Sequence, residues 1–305
     1  MLRKHSGVIC VAMCYILIGI SYPVAKEAME SIPTWTFTLL TFLIAVVALF
    51  PLSLFIDKTN WLTIPLRDWT AISVQALFGA VLFTVFLLYG LPTTTAVAAS
   101  VITSVAPAVV LVLSALFLKE KMQMKSLVSV LLAVISVIVM TLPGAGEGTG
   151  HNSLSGLLFL TLSTLSTSAV IIFAQKLSSQ LKPLTMATGV CLVGAVLSVP
   201  LALPELRTFA LTSLTQSQIL VLVYYGITVW ALPYVFFFHG IWRIPASTAG
   251  MTVALVPVAS VLTSALFFSA AITATELTAS GLIVASIVIA EMKLRRRALV
   301  APVKS

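Results

Sequence analysis

The sequence has little charge, little histidine and little cysteine. Only 9% of its 305 residues are charged, whereas soluble domains carry about a quarter. The three histidines are scattered, and the acids lie at the ends of apolar segments or between them, so no catalytic triad, carboxylate dyad or zinc site forms at helical spacing. An enzyme is therefore disfavoured, and we expect no catalytic residue, no metal and no cofactor.

The three cysteines, Cys10, Cys14 and Cys191, all fall inside apolar segments, which argues against a disulfide framework. Cys10 and Cys14 are four residues apart and so share a helix face, where two thiolates can in principle bind a soft metal. We interpret them as apolar packing residues, which is the usual role of a free cysteine inside a protein.

Long apolar segments dominate the chain, with 60% hydrophobic residues and a mean hydropathy of +1.14. Each approaches the about 20 residues that cross a hydrocarbon core of about 30 Å. The first follows Arg3 and Lys4 as a signal peptide would, but it has an internal counterpart, so we place it in the mature protein. The sequence predicts an all-α membrane protein with ten transmembrane helices, at 7–26, 33–56, 69–91, 94–118, 123–142, 154–175, 184–204, 217–240, 246–268 and 273–291.

The net charge of +8 is distributed as in a membrane protein and does not indicate a nucleic-acid partner. If the N-terminus is cytoplasmic, 15 of the 17 basic residues fall on the inner side, and only Lys26 and Arg207 fall outside. This obeys the positive-inside rule and predicts that both termini are cytoplasmic. The basic run at 293–297 would meet anionic membrane lipids.

Two stretches 150 residues apart, 96–117 and 246–267, have the same pattern of small residues, a proline near mid-span and a closing Ser-Ala-Leu-Phe. The offset recurs along the chain, for example at Lys26 and Lys176 and at Gly90 and Gly240. The chain is therefore a duplication with five spans per copy. Because five is odd, the second copy enters the membrane from the opposite side, which makes the copies inverted repeats.

The duplication sets the predicted domain boundaries. The first repeat covers 1–142 and the second covers 154–293. A glycine-rich linker at 143–153 joins them on the outer side, and a basic cytoplasmic tail follows at 294–305.

Pro107 and Pro257 predict helix breaks at matching places in the two halves, which is the sequence feature that best indicates a transporter's binding site. Polar and aromatic residues inside the spans suit such a site, although serine and threonine often bond their own helix and aromatic rings often form an interfacial belt. We predict a cavity bounded by the third, fourth, eighth and ninth spans, with the first span nearby. Its candidate solute-binding residues are Tyr15, Gln75, Ser104, Tyr224, Thr228, Trp230, Tyr234 and Thr252.

Several stretches resemble the EamA-type family of the drug/metabolite transporter superfamily over essentially the whole chain. They are 19–26 with Ile32-Pro33, and 90–120 with Ala-Pro at 106–107 and Leu-Lys-Glu-Lys at 118–121, together with their second-half counterparts. The chain departs from the family pattern at Thr41, where relatives often carry arginine.

The resemblance implies a carrier in the bacterial cytoplasmic (inner) membrane that works by alternating access. Its expected partners are a small-molecule solute, first of all an exported amino acid or amino-acid-like compound, and membrane lipids. Two alternatives stay open: an exporter of a larger amino-acid-derived solute such as an opine-type metallophore, and a membrane protein that does not transport. The sequence fixes no oligomeric state, and a monomer is compatible with it.

Single cysteines at Gly148 and Ser305 test the predicted topology. Because the linker is predicted outside and the C-terminus inside, an impermeant maleimide should label the first from outside and the second only after permeabilisation. Labelling of both positions from outside would contradict the arrangement of ten spans.

Overall fold

The structure, a computed structural model, describes residues 2–28, 31–103, 105–117, 153–176, 181–241 and 255–267, with short stretches between 128 and 139 and between 243 and 289. Within these residues all regular secondary structure is helical. Ser104 and the linker at 143–152 lie outside the described residues.

Nine helical elements organise the described chain. Two of them, α3 and α8, continue through a π-helical segment: α3 consists of Leu66–Val74, Gln75–Leu82 (π) and Phe83–Gly90, and α8 of Gln216–Tyr225, Gly226–Ala231 (π) and Leu232–Ile241. The others are α1 Leu2–Ala28, α2 Thr34–Phe55, α4 Ala96–Thr103, α5 Ala106–Phe117, α6 Leu154–Lys176, α7 Pro183–Thr208 and α9 Leu255–Phe267.

These helices confirm an all-α membrane fold. Among the described residues, five helices are long and apolar enough to cross a bilayer, and shorter apolar helices occur at Val101–Val110, Leu154–Val170 and Val258–Phe267. Together they coincide with eight of the ten predicted spans. The fifth predicted span lies mostly outside the described residues, and the tenth is described only in short pieces. Large apolar side chains such as Val47 and Phe55, which are 74% and 79% exposed, form an outer surface suited to lipid.

Helix packing follows the inverted repeat. The first helix of each repeat packs against the third and fourth helices of the other: α1 against α8 and α9, and α6 against α3, α4 and α5. The equivalent helices α2 and α7 pack on each other and run antiparallel, since the start of each meets the end of its partner at Thr36 with Glu205 and at Thr185 with Asp57. The two repeats are therefore interleaved rather than separate domains.

Glycine permits close helix approaches at equivalent positions of the two repeats. A Cβ added at Gly240 would lie 2.7 Å from the carbonyl oxygen of Gly7, and one added at Gly90 would lie 2.9 Å from that of Gly156. Small residues of this kind allow helix backbones to pack closely in lipid, where association depends on van der Waals contact. These contacts attach the end of α8 to α1 and the end of α3 to α6.

Gly240→Ala and Gly90→Ala should each lower the apparent Tm of the purified protein, because the added methyl group meets backbone atoms that cannot move aside. Gly281→Ala is the matched control, because a Cβ at Gly281 meets no atom of the described residues within 4 Å and alanine favours helix by up to about 1 kcal/mol. Equal Tm changes for all three variants would contradict the packing role.

Candidate functional site

A stripe of aromatic rings runs along the inner face of α8. Trp230 is 3% exposed, and its ring centroid lies 4.5 Å from that of Phe42 on α2 and 5.8 Å from that of Tyr234. Tyr234 in turn stacks on Phe238 at 5.9 Å. The spacing of four residues places these α8 rings on one helix face. Trp230 is thus turned into the protein and not toward lipid.

The polar groups of this region differ in how they are satisfied. The Tyr234 hydroxyl donates to the carbonyl of Gly79 in the other repeat at 3.0 Å, and the Thr228 hydroxyl donates to Tyr224 in its own helix at 2.7 Å. The Trp230 indole N–H and the Thr84 hydroxyl are buried and have no hydrogen-bond partner among the described residues. A buried donor without an acceptor is costly, so the Trp230 N–H is available for an acceptor atom on a solute.

The π-helical segments of α3 and α8 occupy equivalent places, because Ala76 and Gly226 are 150 residues apart. Such segments are rare and frequently occur at functional sites, since they leave backbone carbonyls without their usual partner. The Tyr234 hydroxyl bonds the Gly79 carbonyl, which lies in the π segment of α3, and so ties α8 to that segment. Neither segment was predicted, because a π insertion leaves no periodic signature in a short apolar run.

The described chain departs from a regular helix just before Pro107: α4 ends at Thr103, Val105 lies in a turn and α5 begins at Ala106. Pro107 occupies the first turn of α5, where a missing amide hydrogen costs no helical bond. Two hydroxyls of α6 lie near carbonyls on either side of this turn, Thr164 near Ile102 at 3.1 Å and Ser168 near Ala106 at 3.3 Å. Each also donates within its own helix at a shorter distance, Thr164 to Leu160 at 2.9 Å and Ser168 to Thr164 at 2.7 Å, so its single hydrogen is shared. The turn thus has polar neighbours, as irregular backbone inside a membrane requires.

The equivalent Pro257 lies within α9. Thr252 before it is buried, and so is Gln75, which opens the π segment of α3. Tyr15 on α1 is partly buried against the core, as is Tyr234. The structure thus joins Tyr234 to α3 and packs Trp230 against α2, while the proposed cavity among the third, fourth, eighth and ninth spans stays a prediction.

Sequence reasoning missed two carboxylates that cap helices across the repeat interface. Glu205 at the end of α7 accepts hydrogen bonds from the Thr36 amide at 2.8 Å and the Thr36 hydroxyl at 3.1 Å, in the first turn of α2. Asp57, just beyond α2, accepts both corresponding bonds from Thr185 in the first turn of α7, each at 3.0 Å. The sequence offered one signal, since Asp57 and Glu205 are 148 residues apart, close to the repeat offset.

Comparisons with known proteins agree with this architecture. The EamA-like transporter family matches twice, at residues 5–142 and 154–292. An uncharacterized transporter, YetK, of Bacillus subtilis (strain 168) is 31% identical over 265 residues, which cover 86% of this chain and 80% of that protein. An uncharacterized transporter of Archaeoglobus fulgidus is 26% identical over 198 residues, which cover 64% of this chain and 68% of its own length.

A solved crystal structure superimposes with a TM-score of 0.69 over 96% of this chain and 99% of its own, at 20% identity, and shares the fold. The two family matches correspond to the two interleaved repeats. The chain belongs to the EamA-like transporter family and is a multi-pass membrane transporter.

Tyr234→Phe tests the tie between α8 and α3. Losing the hydroxyl leaves the Gly79 carbonyl without this donor, so we expect a lower apparent Tm, by an amount equivalent to about 1 kcal/mol. Tyr89→Phe is the control, because Tyr89 is exposed and its ring packs on Phe159. Equal Tm values for Tyr234→Phe and wild type would show that the bond does not stabilise the fold.

Proposed function

We propose that the protein carries a small amino-acid-like metabolite out of the cell, across the bacterial cytoplasmic membrane, by alternating access. The observation that carries this proposal is the buried Trp230 N–H, which has no hydrogen-bond partner among the described residues and lies beside Tyr234, on the helix that binds α3 of the other repeat. A solute held there contacts both repeats. Its binding can therefore depend on how the repeats are arranged, which alternating access requires.

The chemistry of the region favours a solute without net charge. Rings and neutral hydrogen-bonding groups line the inner face of α8, and a charged solute would need a compensating charge in so buried a place. A zwitterion or an uncharged amphipathic compound meets this condition. It offers a carbonyl or carboxylate oxygen to the Trp230 N–H and an apolar part to the rings.

We assign the solute site to the predicted set of Tyr15, Gln75, Ser104, Tyr224, Thr228, Trp230, Tyr234 and Thr252, with Pro107 and Pro257 at the hinges. The structure supports different roles within this set. The N–H edge of Trp230 is free to meet the solute, since its ring already packs on Phe42 and Tyr234. The Thr228 hydroxyl donates to its own helix, so it can only accept a bond from a solute.

Export as the direction, and cytoplasmic termini, rest on the family resemblance and on the distribution of basic residues. Inside-out and right-side-out vesicles that contain the purified protein would separate export from import.

Solute flux in proteoliposomes, measured across a panel of amino acids and their derivatives, tests this function. Trp230→Ala should weaken binding of the transported solute by about 1–3 kcal/mol, which is roughly 5- to 150-fold in affinity, because it removes both the donor and the ring. The control is Trp61→Ala, since Trp61 lies between α2 and α3 and packs on Phe50 and Trp69. It should leave binding unchanged.

Wild-type affinity in Trp230→Ala would remove Trp230 from the site. Flux confined to larger amino-acid-derived compounds would replace the proposed substrate class with the opine-type alternative.

A further inference from the structure

We propose that α2 and α7 form a seam that stays closed at both membrane faces during transport, with Asp57 and Glu205 as the positioning residues that hold its two ends. The inference rests on the proposed alternating access, because it states which part of the interface between the repeats does not open. The seam is defined here as the contact between Thr34–Phe55 and Pro183–Thr208.

Each end of the seam is held by the same chemistry. A carboxylate oxygen accepts two hydrogen bonds from one threonine in the first turn of the opposite helix, through the amide and the hydroxyl. The amides at a helix start lack intrahelical acceptors and carry partial positive charge, so a carboxylate there forms strong, charge-assisted bonds. Thr36 and Thr185 are 0% and 2% exposed, so lipid and water hardly reach these threonines.

The two caps stand at opposite faces of the membrane. The 22 residues of α2 separate them, which at 1.5 Å per residue is about 33 Å and comparable to a hydrocarbon core. Both caps are formed in the same structure. A helix pair that acts as an alternating gate would be in contact at one membrane face and separated at the other. The α2–α7 pair is in contact at both.

The middle of the seam is packed as closely as its ends. A Cβ added at Gly194 of α7 would lie 3.1 Å from the Phe42 ring of α2. Phe42, Ala45 and Cys191 are fully buried, and Ala195 is 3% exposed. Parting these helices would expose both apolar surfaces and two charge-assisted caps together. The broken helix α4–α5 and the π segments offer places where motion costs less.

The Asp57 end has additional ties. The Lys182 ammonium donates to the Asp57 carbonyl at 2.8 Å, and the hydroxyls of Thr59 and Thr185 are hydrogen-bonded. Lys58 adopts a left-handed backbone conformation with φ of 54°, and the Thr59 amide bonds back to Ser53 at 3.1 Å. This turn stops α2 and directs the Asp57 carboxylate at the start of α7.

Spin-label distances test the seam without requiring a known solute. In a background whose three cysteines are replaced by alanine, one label pair at Phe55 and Lys182 reports the Asp57 end, and another at Ser31 and Arg207 reports the Glu205 end; all four side chains are exposed. The label at 182 replaces the Lys182 ammonium, so this pair tests the bonds of the Asp57 carboxylate alone. A third pair, at Thr93 and Phe267, spans the two repeats outside the seam. Distances are measured in lipid nanodiscs with and without a mixture of zwitterionic amino acids.

We expect a single short distance at each seam pair in wild type under both conditions. Asp57→Ala should add a longer distance at the Phe55–Lys182 pair only, and Glu205→Ala at the Ser31–Arg207 pair only. Arg67→Ala removes an exposed charge on α3, outside the seam, and should alter neither pair. If an alanine variant does not fold, Asp57→Asn and Glu205→Gln keep an acceptor oxygen and should retain the short distances.

A second, longer distance at either seam pair in wild type would show that the seam is a gate and would overturn the proposal. An unchanged Phe55–Lys182 distance in the Asp57→Ala variant would also overturn it, because the carboxylate would then not hold that end of the seam. The third pair separates this outcome from failure of the proposed function. If the Thr93–Phe267 distance does not change when the amino acids are added, and flux is also absent, amino-acid transport is contradicted. The comparison of Asp57→Ala and Glu205→Ala with wild type tests only the seam.

Discussion

A bilayer offers no water to a backbone carbonyl, so each one inside it needs a partner from the protein. The structure meets this requirement at its irregular places with side-chain hydroxyls. Thr164 and Ser168 bond carbonyls beside the α4–α5 break, Ser163 bonds Phe83 at 2.8 Å, and Tyr234 bonds Gly79 in a π segment. These donors belong to the second repeat and the acceptors to the first. Hydrogen bonds at irregular backbone therefore also join the two repeats.

Charge is kept where it can be paired with helix ends. Asp57 and Glu205 lie at the ends of the antiparallel pair α2–α7, and each meets the amide and hydroxyl of a buried threonine. Between these ends the helices interact through apolar rings and small residues, such as Phe42 and Gly194. The division is physically reasonable, since a carboxylate at mid-membrane depth is costly whereas one at a helix start is stabilised.

The sequence could predict those features that repeat or that alter the backbone directly. Apolar length predicted the spans, and the 150-residue offset predicted inverted repeats. The interleaving of the repeats is evident only from the helix packing. The sequence could not predict the π segments or the caps. Gly79 and Gly226 read as ordinary small residues, and Glu205 meets Thr36 only after 169 residues of chain have folded between them. The pairing of Trp230 with Phe42 likewise depends on how α2 and α8 pack, which periodicity does not specify.

The hydroxyls of α6 have no match in the first repeat. At the 150-residue offset, Ser163, Thr164 and Ser168 correspond to Met13, Cys14 and Ile18 of α1, none of which carries a hydroxyl. The turn before Pro107 thus has hydroxyl neighbours that α1 does not carry at the corresponding positions. In an inverted repeat, inward- and outward-facing forms arise when the halves exchange their conformations, and identical halves would make the two forms equal in energy. Under the proposed alternating access, halves that differ in this way would give the empty carrier a preferred orientation that its own chain imposes and that solute binding has to overcome.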